Sequence, residues 1–114
     1  MLPDEPALEN REEVSAPMET VCLDHCVWQG QIYLVMVDEF SAFPLITKVR
    51  STDADDLILH CEAWFLDLGY PRLAKSDGGP AFTSKAWTDY CESNYIANSI
   101  SSAGNPQSLS LIHI

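Results

Sequence analysis

Two aspartates hold the residue types and surroundings that could do chemistry. Asp24 interrupts an apolar run, Val21-Cys22-Leu23-Asp24-His25-Cys26-Val27. A carboxylate there loses hydration and needs compensation from a divalent cation, a buried Arg or a turn hydrogen bond. Asp77 stands before Gly78-Gly79-Pro80, where a short strand hands over to a helix, and the glycines let backbone or ligand come close. The carboxyl ends of strands in mixed α/β sheets are where sites gather. Each aspartate also has a plain structural reading. Strand positions often face water, and Asp-Gly is a common turn dipeptide. Asp38, in Val37-Asp38-Glu39-Phe40-Ser41, reads as the first residue of a turn.

Histidine and cysteine add less. His25 alternates to the strand face opposite Asp24, which argues against direct partnership, and His60 reads as a half-exposed helix residue. Cys22, Cys26 and His25 lack the spacing of a zinc site. The four cysteines, at 22, 26, 61 and 91, read better as buried free thiols acting as small hydrophobes. No Ser-His-Asp or Cys-His set, phosphate-binding loop or dinucleotide motif is present.

The elements that must position these residues follow from the pattern. Val21–Trp28 is an apolar-rich strand, Gln29-Gly30 breaks it, and Gln31–Val37 is a second strand rich in β-formers, so a hairpin is expected. Phe43–Val49 is a third strand that Pro44 confines to a sheet edge. The period then changes. Leu57, Ile58, Cys61, Trp64, Phe65 and Leu68 share one helix face, with Thr52 or Asp53 as N-cap and Gly69 as the stop. Arg72–Ser76 is a short strand, Ser84–Ser93 a second helix and Tyr95–Ile100 a fifth strand. Asn105-Pro106 suits the start of a third helix. The expected fold is α/β: a five-stranded mixed sheet in the order β-β-β-α-β-α-β with flanking helices, an order that resembles the ribonuclease-H-like architecture.

Length and charge limit the function. The chain has 114 residues, one small domain, and 46% of them are hydrophobic, enough for one core. Residues 1–19 are acidic and proline-punctuated and read as a linker or tail; 20–114 read as the domain. The net charge is −11 with only six Lys and Arg, so any contact with DNA needs a metal or other domains for positive charge. No secretory leader is apparent, and the apolar run Ile32–Val37 is too short to span a bilayer, so no membrane association is expected.

Three runs, VCLDHCVWQGQIYLVMVDEFSAFP, LGYPRLAKSDGGPAFTS and SSAGNPQS, fall in order between Pro17 and Ser108. Together they resemble the integrase catalytic core of retroviruses and long-terminal-repeat retrotransposons, on the Gypsy-like side. The resemblance implies a metal site in which Asp24 is the first aspartate and Asp77 the second, while Asp38 is not a ligand. It implies Mg²⁺ or Mn²⁺ as cofactor, DNA as partner, nucleic-acid contacts by Asn105 and Gln107, and a homo-oligomer in the full-length protein. It further implies DNA integration by phosphodiester strand transfer through two-metal catalysis, inside the cell and, for the parent protein, in the nucleus.

Two departures stand out. Gly78 replaces the family's usual Asn. The family's third carboxylate, a glutamate, belongs thirty-five residues after the second aspartate, and His113 stands there. The tail Leu109–Ile114 does not resemble the family, so the last catalytic helix is expected to be cut short and the chain as given to be inactive. Two other readings are a domesticated, non-catalytic binding module derived from an integrase and another ribonuclease-H-like nuclease; the NPQS run argues against the latter.

Overall fold

In a computed structural model, which describes residues 16–100, alternation and turn chemistry build a meander first. Strand β1 (Thr20–Trp28) and strand β2 (Gln31–Asp38) pair antiparallel, with Trp28 opposite Gln31 and Asp24 opposite Val35. The two-residue turn between them places Gln29 at φ 51 and Gly30 at φ 76. Both central residues are left-handed, the geometry that matches the twist of a hairpin. Strand β3 (Phe43–Val49) pairs antiparallel with β2 and forms one edge of the sheet, as Pro44 requires.

Helix α1 (Ala54–Leu68) follows with Asp53 at its N-cap. It ends at Gly69, whose φ of 107 is open to glycine and whose N–H bonds the Phe65 carbonyl. Leu57, Cys61 and Phe65 of its apolar face are fully buried, and Ile58 and Trp64 pack against them. Leu68, expected on that face, is the last residue of the helix and is exposed. Strand β4 (Leu73–Ser76) then enters beside β1 and parallel to it. Helix α2 (Lys85–Ser93) starts one residue later than expected, because Ser84 is its N-cap and accepts the Trp87 N–H. Strand β5 (Ala97–Ile100) closes the far edge. It starts two residues later than the sequence pattern suggests, since Tyr95 turns with φ 58 and projects into solvent.

The strand order is β3-β2-β1-β4-β5, a mixed sheet. Its two faces differ. Val21, Leu23, Leu34 and Met36 point to one face and share a core with Leu57, Cys61, Phe65, Trp87 and Cys91 of the two helices. Trp87 anchors this core, edge-on to Phe82, stacked on Tyr90 and donating its indole N–H to Asn98. Fully burying such a side chain contributes roughly 3 kcal/mol. Asp24, Val35 and Lys75 belong to the opposite face by strand alternation. Met18 and Glu19 are tied to the sheet: the Met18 N–H donates to Asp38 Oδ1, and the Glu19 carbonyl accepts from Arg72 and Leu73. Among the described residues no helix is long and apolar enough to cross a membrane.

Candidate metal centre

Parallel pairing of the two central strands brings the aspartates together. Thr20 lies beside Leu73, Val21 beside Ala74 and Cys22 beside Lys75. Continuing that register by two residues sets Asp24 beside Asp77, close enough for the Asp77 charge to act on the Asp24 carboxyl. They line one cleft of about 150 Å³, with His25, Thr52, Gly79 and Phe82 among its walls. The lone feature that a sequence scan sees at each position, an acid in a strand and an acid in a turn, becomes a pair only through this register.

The two carboxyls differ in surroundings. Asp24 is buried, and Asp77 is exposed at the mouth. Burial raises the Asp24 carboxyl to about 6, the Asp77 charge adds to the rise, and a backbone hydrogen bond from His25 opposes it. Asp77 is fixed by its own turn, where Oδ1 accepts the Gly79 N–H. Gly78 within that turn has φ 85, a conformation that glycine adopts freely and asparagine tolerates. The exchange of one for the other at this position therefore keeps the turn.

Asp38 is spent on structure. Its Oδ1 accepts the N–H groups of Met18 and Phe40, and its Oδ2 accepts the Ser41 hydroxyl. His25 points to the helix-covered face, where its ring lies 5.4 Å from Phe82, yet it also touches the cleft. Burial holds its pKa below the ordinary value, against the raising effect of Asp77 and Asp56. His60 is half-exposed and sits 3.7 Å from Asp56.

Thr52 was legible only as a candidate helix cap; the structure puts it in the cleft wall, in the loop between β3 and α1, while Asp53 takes the cap. Phe82, in the Pro-Ala-Phe-Thr-Ser run, is a second wall residue; it falls in one of the runs that carry the resemblance, but the sequence assigned it no role. Cys61 and Cys91 are buried thiols, as expected. Cys22 and Cys26 are only half-buried, which departs from that expectation. The Cys22 thiol donates to Glu39 and is pushed up to about 12, mainly by burial. Asn105, Gln107 and His113 lie outside the described residues.

The donor set suits a hard cation. Two carboxylates crowded at one cleft, one of them desolvated, are relieved by a divalent ion that takes oxygen ligands and keeps its waters. Among the described residues no group of three or more His, Cys, Asp or Glu surrounds a common point; Asp24 and Asp77 are the acids that line this cleft.

Comparison with known proteins fits this geometry. The family model described as integrase core domain matches residues 15–106. The chain is 31% identical over 78 residues to the Gag-Pro-Pol polyprotein of Mason-Pfizer monkey virus, which covers 68% of this chain and 4% of that protein. It is 32% identical over 79 residues to the Pol-related polyprotein of mouse intracisternal A-particle MIA14, covering 68% of this chain and 9% of that protein. The chain thus spans less than a tenth of either polyprotein. The HTLV-2 integrase catalytic core domain, solved in complex with magnesium, superposes with TM-score 0.70 at 23% identity, over 75% of this chain and 62% of that one. A simian T-cell lymphotropic virus intasome, solved with the PP2A regulatory subunit B56 gamma, superposes with TM-score 0.73 at 25% identity, over 84% of this chain and 36% of that one. The five-stranded mixed sheet is thereby that of the retroviral integrase cores, and the chain belongs to the integrase core domain family.

Proposed function

We propose that this chain is the catalytic-core portion of a DNA integrase, with Asp24 and Asp77 as the protein's ligands to Mg²⁺ or Mn²⁺. The observation that carries the reading is the β1–β4 register, which sets a buried carboxylate beside an exposed one at the end of two parallel strands. Asp24 and Asp77 would hold divalent cations there, which would supply activation of an oxygen nucleophile and charge stabilisation for in-line attack on a phosphodiester. The residues of the chain hold and orient. Asp77 is pinned by the Gly79 N–H, Asp24 is held rigid within a central strand, and Phe82 and Thr52 wall the cleft. Asn105 and Gln107 contact nucleic acid in this reading. DNA ends and target DNA are the partners, and the relatives solved as a dimeric form and as an intasome support self-association in the full-length protein. The nucleus is the place of work.

His113 stands where the third carboxylate belongs. Imidazole is a poor ligand for Mg²⁺, so cation binding by this chain is weak and strand transfer is absent. That same residue favours a second reading, a non-catalytic nucleic-acid-binding module derived from an integrase.

Titration of the protein with Mn²⁺, followed by electron paramagnetic resonance, tests the site. Asp24→Asn and Asp77→Asn should each weaken binding by about tenfold or more, while Asp38→Asn should leave it unchanged. Equal loss with Asp38→Asn would overturn the ligand assignment. His113→Glu should tighten Mn²⁺ binding, and strand transfer by the unaltered chain would overturn the role given to position 113.

A further inference from the structure

We draw no further inference here: the strongest candidate, the His25 imidazole, whose Nε2 lies buried without a hydrogen-bond partner among the described residues in the wall of the Asp24–Asp77 cleft, belongs to the site already described.

Discussion

The two faces of the sheet are made by the same strands and have opposite fates. On the helix-covered face, Val21, Leu23, Leu34 and Met36 are buried against Leu57, Phe65 and Trp87. On the other face, the neighbouring positions of the same strands hold Asp24, Cys22, Lys48 and, on β4, Lys75. One face is committed to packing, and its residues are interchangeable within limits of volume. The other buries Val35 and Val37 yet sets polar groups beside them, and a desolvated carboxylate there costs stability. Asp24, buried beside Asp77 with its carboxyl raised to about 6, is the clearest case.

Mutation can break this contrast, and the largest effect belongs to the packing face. Trp87→Ala removes a fully buried indole that touches Phe82 and Tyr90. It should cost about 3–5 kcal/mol in denaturant unfolding, enough to unfold a small domain. A loss below about 1 kcal/mol would mean that α2 is not anchored on this core.

The next effect has the opposite sign and sits on the other face. The folded Asp24 holds its proton up to about pH 6, against an ordinary value of 3.8. The folded state therefore binds more protons between these values, and stability falls as pH rises through that window. Asp24→Asn removes the cost and should stabilise the metal-free chain by about 2 kcal/mol at pH 7, with the gain vanishing near pH 3. Melting curves of both proteins across pH decide the matter. A destabilised Asp24→Asn at pH 7 in EDTA would show that this carboxylate is structural.

A smaller effect tests how α1 is fastened to α2. Tyr90 donates to Glu62 Oε1 at 2.6 Å, and Tyr70 donates to the same carboxylate at 3.0 Å. Tyr90→Phe should cost about 1 kcal/mol in the same unfolding measurement. Tyr70→Phe, at a more exposed site, should cost less. The smallest effect is expected at Lys85→Ala, which breaks an exposed pair with Asp89 four residues away on α2. It should change stability by less than about 0.5 kcal/mol.

Much of this architecture was legible beforehand where a local rule governs. The Gln29-Gly30 turn, the edge placement of β3 by Pro44 and the apolar stripe Leu57-Cys61-Phe65 follow from φ preference, a missing N–H and helical period. These act over a few residues, so sequence spacing contains them. Departures fall at element ends, where propensity is weak. Leu68 and Tyr95 continue an apolar pattern, yet the chain has already begun to turn away from the core.

The site was legible in a different manner. Asp24 and Asp77 each carried an ordinary structural explanation, and only the ordered run of motifs pointed to them as a pair. The sequence by itself determined the elements, the acid in the strand, the acid in the Gly-Gly turn and the histidine at position 113. It could not determine that β4 lies next to β1 in parallel, because that pairing is chosen by the burial of helices far along the chain. Tertiary structure alone set Asp24 beside Asp77 and put Thr52 in the cleft wall. The physical reason is that charge and desolvation act through space, and the spatial neighbours of a strand residue are fixed by register.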